Sequence, residues 1–396
     1  MSRPKRAPWL RAHLDPAVVS LYAGFLFAGA MTVLLGVLLP RVAALHHLKD
    51  SESGALLRTQ FTASACGALL VRRHFRRTVI RGYWLMAAGA LTLIAAPPVL
   101  GIAAIGMFSL GLGMAMTSTS MLIGRLFPQS RGATMSFLNF CWSVGAMLCP
   151  LVTARLPGDF SAMEVCVPVA VASAGFGTLV WLGRVPAVAA EIPAAGKQRE
   201  SHLPIIVLFS AIAFLYVGTE SSVGGWMTTY ATRAIAWDFA RSNLAAACFW
   251  AALLAGRGIT PLVLQWVSEL RLFLFSITWV SIGVLILVEA HSATTLLAGA
   301  CCTGLALAPV FPLTIALFLE RAPENRNSGW VFAVAGFGGA VLPWLTGVVS
   351  TEMHSLRSGL LLSFAAAVMM LLLALRVLFP PRGRSLKVAV SVSELR

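Results

Sequence analysis

The chain has 396 residues, 58% of them hydrophobic and only 11% charged, whereas a soluble domain carries roughly 25% charged residues. Lys and Arg outnumber Asp and Glu by 30 to 15, a formal charge of +15. The apolar excess excludes an ordinary water-soluble domain, and the placement of the basic residues excludes a nucleic-acid binder.

After a basic segment, 1–16, twelve apolar stretches follow: 17–40, 52–72, 80–97, 99–124, 132–154, 163–184, 203–231, 240–262, 271–290, 292–318, 328–350 and 358–379. Each approaches the ~20 residues that a helix needs to cross a ~30 Å hydrocarbon core. None alternates with a period of two, so helices are predicted rather than strands. In lipid a helix also satisfies its own backbone hydrogen bonds. A short linker, 185–202, divides a first six-helix bundle (17–184) from a second (203–379), and a basic tail, 380–396, closes the chain.

With the N-terminus inside, 23 of the 30 Lys and Arg fall on the cytoplasmic side. The other seven are Arg41, Lys49, Arg58, Arg155, Arg233, Arg241 and Arg357. The bias predicts both termini in the cytoplasm and contact with anionic lipid at that face. Arg58, in the outer part of the second stretch, reads as snorkelling outward. The seven cysteines form no C-x-x-C and read as small buried hydrophobes.

The two halves repeat one another. Gly111, Gly145 and Pro150 match Gly304, Gly338 and Pro343 at a spacing of 193, and Phe27, Gly29 and Gly36 match Tyr216, Gly218 and Gly225 at 189. Duplicated helix bundles with a site between the halves are a common plan of secondary transporters.

Of fifteen acids, only Glu220 lies deep within a stretch. An ionisable group at that depth is costly and marks a functional site by default. Tyr216, Glu220, Gly224 and Met227 share a helix face, with Trp226 beside it; Asn139, Trp142, Ser143 and Ala146 share another. Gln60, Ser64 and Gly67 form a third face, and Thr117, Ser120 and Gly124 a fourth. Amides and a carboxylate suit sugar hydroxyls, and an indole suits the apolar face of a sugar ring. The substrate-binding set is therefore Gln60, Asn139, Trp142, Glu220 and Trp226, with Glu220 as the proton-coupling residue. The alternative for such polar faces is glue between helices. No H-E-x-x-H, G-x-S-x-G or P-loop string is present, so neither an enzyme, nor a cofactor, nor a metal is expected.

The segment Gly67-Ala-Leu-Leu-Val71-Arg72-Arg73-His74-Phe75-Arg76-Arg77 is similar to the signature loop of the major facilitator superfamily, G-x-x-x-D-R/K-x-G-x-R/K-R/K, with Val71 in the acid's place and His74 in the second glycine's. Three further strings are Phe137-Leu-Asn139-Phe-Cys-Trp142-Ser-Val-Gly145-Ala146, Tyr216-Val-Gly-Thr-Glu220-Ser-Ser-Val-Gly-Gly225-Trp226, and Ser328-Gly-Trp330 followed by Gly338-Gly-Ala-Val-Leu-Pro343-Trp344. Together they resemble the fucose–galactose–glucose:proton symporter family, in its bacterial glucose/mannose-type members. The resemblance implies twelve transmembrane helices in two pseudo-symmetric bundles, a bacterial inner membrane, a monomer, and a hexose-like substrate moved by alternating access. Protons are the candidate coupling ion. It also implies a gating loop with Arg72, Arg76 and Arg77, to which Arg257 is added as the counterpart of Arg72 in the second half. Two acids of fucose permease are absent, their places held by Gly36 and Met116. The alternatives are an exporter of drugs or metabolites with the same fold and a non-transporting sensor or scaffold.

Overall fold

The structure is a computed structural model that describes residues 15–71, 74–95, 98–128, 131–157, 160–183, 203–321 and 328–378. The first half comprises α1 (Pro16–Leu45), α2 (Asp50–Leu69), α3 (Phe75–Ala95), α4 (Pro98–Leu126), α5 (Arg131–Thr153) and α6 (Ala162–Leu182). The second comprises α7 (Leu203–Ala234), α8 (Phe239–Val263), α9 (Glu269–Val288), α10 (Ala293–Leu307), α11 (Val310–Arg321), α12 (Ser328–Glu352) and α13 (Leu356–Leu378). The linker 185–202, the tail 380–396 and nearly all of segment 1–16 lie outside the described residues.

The helices follow the twelve apolar stretches, with one difference. The tenth is interrupted after Leu307, giving α10 and α11. Pro309 and Pro312 lack the N–H groups that would continue the ladder there. Pro40, Pro150, Pro168, Pro261 and Pro343 stay inside unbroken helices. Among the described residues, ten helical segments are long and apolar enough to cross a membrane, α10 and α11 counting together as one. Large apolar side chains such as Val171, Leu182, Trp266, Phe275 and Leu372 are exposed around the bundle. Contiguous apolar surface of this kind would be a liability in water and suits lipid.

Within each half, equivalent crossings are made by the repeated glycines. Gly29 packs on the backbone of Trp142 and Gly145 on the carbonyl of Leu26, which joins α1 to α5. In the second half Gly338 packs on the carbonyl of Phe214 and Gly218 on that of Gly338, which joins α7 to α12. Small residues let helix backbones approach closely, which is how packing is gained where lipid offers no hydrophobic drive. The halves meet along α1–α7, α2–α12 and α5–α8. One core cluster fills the second half and takes in Val37, Leu57 and Ala146 of the first, so the seam is packed and not merely touching. Another core is confined to the first half.

Candidate functional site: a buried ion pair in the seam between the halves

Glu220 stands in the middle of α7, where its carboxylate meets Arg257 of α8 at 3.3 Å. It also accepts a hydrogen bond from the Tyr216 hydroxyl, one helical turn earlier, at 3.1 Å. The other arm of Arg257 reaches across the seam and donates to the Ser143 hydroxyl of α5 at 2.7 Å. The guanidinium carbon stands 5.4 Å from the ring centroid of Trp142, within the range of a cation–π contact. The Arg257 and Glu220 side chains remain 19% and 12% exposed, so the pair is sheltered without being sealed.

Aromatic rings frame the pair. Trp142 meets Trp250 edge to face at 5.7 Å, and Tyr216 stacks on Phe311 at 5.5 Å. On the first-half side the hub is Thr32 of α1. Its carbonyl accepts from the Gln60 amide at 2.6 Å, and its hydroxyl accepts from the Trp142 indole at 3.4 Å. The same hydroxyl lies 3.7 Å from the sulfur of Met116. Gln60 Oε1 and Trp250 Nε1 are buried with no partner among the described residues. Such groups are costly unless something pairs with them.

A second ion pair clasps the halves at one end of the bundle. Arg233, near the end of α7, grips Asp50, the first residue of α2, with two bonds of 2.6 and 2.7 Å. The Ser350 hydroxyl of α12 donates to the same carboxylate. Burial opposes ionisation of Asp50, but Arg233 and Ser350 outweigh it and hold the carboxyl below its ordinary value. Nearby, the Ser51 N–H donates to the Thr351 hydroxyl at 2.8 Å, and Asn243 of α8 donates to Thr153 of α5 at 3.3 Å. Arg41 lies 4.7 Å from the Phe160 ring and 5.7 Å from that of Phe239.

The fold matches solved structures along nearly its whole length. A crystal structure of the Major Facilitator Superfamily transporter FucP, in the outward conformation, superposes with a TM-score of 0.64 at 15% identity, covering 93% of this chain and 99% of that one. A bacterial homolog of the human lysosomal transporter Spinster, inward-facing and occupied, gives 0.68 at 12% identity, covering 95% and 97%. The chain has the major facilitator fold.

No family model matches the sequence. A Brucella abortus protein described as a glucose/galactose transporter is 22% identical over 363 residues, 84% of this chain and 87% of that protein. Bypass of stop codon protein 6 of Saccharomyces cerevisiae is 30% identical over 165 residues. That match spans 37% of this chain and about a third of the yeast protein. The resemblance read from the sequence strings thus holds at the level of the fold.

Within the major facilitator fold, the residues singled out from sequence fall into three groups. Glu220 and Trp142 come together at the seam, and Gln60 joins them through Thr32. Asn139 lies one turn from Ser143 on an accessible face, but its amide donates back to the Met135 carbonyl of its own helix at 3.0 Å. Trp226 departs from expectation. It is fully buried, and its indole N–H is taken by the Pro343 carbonyl at 2.9 Å, so it packs α7 on α12 and offers no face to a solute.

Arg257 also departs from its reading as a gating-loop residue: it lies within α8 and belongs to the central pair. Arg76 donates to the Trp181 carbonyl at 2.6 Å, Arg77 is exposed, and Arg72 lies outside the described residues. Arg58 is exposed and stacks over Trp344 of α12 at 4.7 Å. Cys141 and Cys149 are buried as expected, whereas Cys66 and Cys301 are exposed. Thr32 was missed, although it is the one polar residue in the middle of the first stretch. Of the two places where the resemblance leads to acids, Met116 puts a thioether against Thr32, and Gly36 lies against the backbone of Gly225 with no room for a side chain.

Proposed function

We propose that this protein is a secondary transporter that moves a small polar, sugar-like solute across a bacterial inner membrane by alternating access. The observation that carries the reading is the Arg257–Glu220 pair, held in the seam and tied across it to Ser143. A charged pair at this depth is expensive unless it serves a pathway. Its place between two pseudo-symmetric halves is where such folds hold their substrates. The description of the Brucella relative supports a hexose as the first class to test.

The positive-inside bias supports twelve spans with both termini cytoplasmic, two functional bundles (17–184 and 203–379), and the Asp50–Arg233 clasp on the outer side. On this topology the halves are closed outside, and the solute would leave or arrive from the cytoplasm. Glu220 is the proposed proton carrier, because an unpaired carboxylate here is relieved by taking a proton. The deciding experiment uses purified protein in liposomes, offered labelled sugars with and without a proton gradient. Saturable, gradient-dependent uptake is expected; no movement of any solute in either direction would reject the reading. Impermeant thiol labelling in intact cells checks orientation: His354→Cys reacts and Arg77→Cys does not.

A further inference from the structure

Two of the guanidinium groups along the seam are each held by one carboxylate. At the clasped end, Arg233 lines a cleft with Lys49, His354 and Arg357, and the acid in that cleft, Asp50, is already engaged by Arg233 and Ser350. Three of the seven basic residues that the charge bias assigns to the outer side thus gather in one cleft. Topology disfavours Lys and Arg on that side, so a cluster there favours an anionic ligand, even with Arg357 already donating to the Ala290 carbonyl at 3.1 Å. Deeper in, Arg257 meets Glu220 through a single bond of 3.3 Å. That is long beside the ~2.7–2.9 Å of a charge-assisted pair. A guanidinium has five donors in a planar fork. The bonds to Ser143 and Glu220 engage only part of that fork, leaving donors to offer a second anion.

The neighbouring unpaired atoms describe the rest of such a ligand. Gln60 Oε1 is a buried acceptor without a donor, and Trp250 Nε1 a buried donor without an acceptor. Hydroxyl groups serve both. Trp142, beside Arg257, supplies a flat apolar plate. A neutral sugar would use the amide and the plate, but would return little for the Arg257 guanidinium taken from water, which costs several kcal/mol.

We infer that the solute is a polyhydroxy carboxylate, a sugar acid, whose carboxylate is received at the Arg233 cleft and then held by Arg257 in place of Glu220. This rests on the transporter reading and narrows its substrate class. Arg257 becomes the residue that sets specificity, and Gln60 and Trp250 read the hydroxyl groups.

The test compares galactose, glucose, galacturonate and gluconate in exchange assays with protein in liposomes. At least one of the two acids is expected to exchange with a half-saturation about 10- to 100-fold below that of either hexose, the size of a charged hydrogen bond. Arg257→Gln should erase that preference, and Arg257→Lys should restore part of it. Should Arg257→Gln fail to fold, Arg233→Gln at the exposed rim serves instead. It should slow uptake of the acid from the outer side and weaken the salt dependence of that rate. Exchange of hexoses as good as, or better than, that of the acids overturns the inference and leaves the transporter reading standing. Exchange of neither class removes both.

Discussion

Gly36 and Gly225 touch backbone to backbone where α1 crosses α7, and they are the same two residues that the internal repeat pairs at a spacing of 189. Residues related by a two-fold axis meet each other only on that axis. The contact therefore marks where the pseudo-symmetry axis of the two bundles passes. A Cβ added to Gly36 would stand 2.7 Å from the Gly225 Cα, against backbone that has nowhere to go. Gly36→Val should lower stability by about 1–3 kcal/mol, the usual cost of overpacking, read as a lower melting temperature in detergent. Gly175→Ala, which meets nothing within 4 Å, should leave it unchanged. Gly36→Asp, which restores an acid at that place, should destabilise as Gly36→Val does and confer no proton coupling.

The clasp between Asp50 and Arg233 predicts a response to acid. The folded-state pKa of Asp50 is held below its ordinary value. Its contribution to holding the clasped end closed is therefore complete above about pH 4, the unperturbed carboxylate range. It is lost as pH falls through the lowered pKa. Asp50→Asn should remove about 1–3 kcal/mol of a charged hydrogen-bonded contact, towards the low end because Arg233 is 45% exposed. The expected readout is faster reaction of an impermeant reagent with a cysteine at Thr153, buried where α5 meets α8, at neutral pH. The exchange Asp50→Arg with Arg233→Asp should slow it again.

Glu220→Gln keeps the shape and the bond to Tyr216 but releases no proton. It is expected to abolish gradient-driven accumulation while preserving solute exchange. Because it leaves Arg257 without its counter-ion, stability should also fall, by up to about 3–5 kcal/mol as for a broken buried pair. Adding Arg257→Gln should recover most of that loss. Full accumulation by Glu220→Gln under a proton gradient would remove it as the coupling residue.

The two tryptophans once grouped together should behave differently. Trp226→Phe removes the indole's bond to the Pro343 carbonyl, so melting temperature should fall while half-saturation for solute stays put. Trp142→Phe loses the bond to Thr32 and changes the plate beside Arg257, so half-saturation should rise several-fold with little change in melting temperature.

Most of the fold was legible because a membrane helix declares itself by length and hydropathy alone. The sequence bounds of α2, α5, α6 and α8 differ from the observed ones by three residues or fewer at either end. The break after Leu307 needed the judgement that two prolines three residues apart stop a ladder that one proline only bends. Glu220 was legible as the lone deep acid. Arg257 was not: six residues from the end of its helix, it reads as one more cytoplasmic base, and only the crossing of α8 with α5 and α7 brings it to Glu220. Trp226 was misread for a related reason. Helical spacing says which residues share a face, but not which neighbouring helix covers that face.

The tryptophans also divide by depth in a way that gives the protein its own optical signal. Trp84, Trp181, Trp266 and Trp279 are 41–78% exposed, whereas Trp142 and Trp250 stand together at the seam and Trp226 is sealed against α12. A brominated lipid quenches by contact, so it would silence the outward indoles and spare the inner ones. The emission that survives would include the two indoles at the seam, so a change in it on adding solute would report on that place without any label being attached.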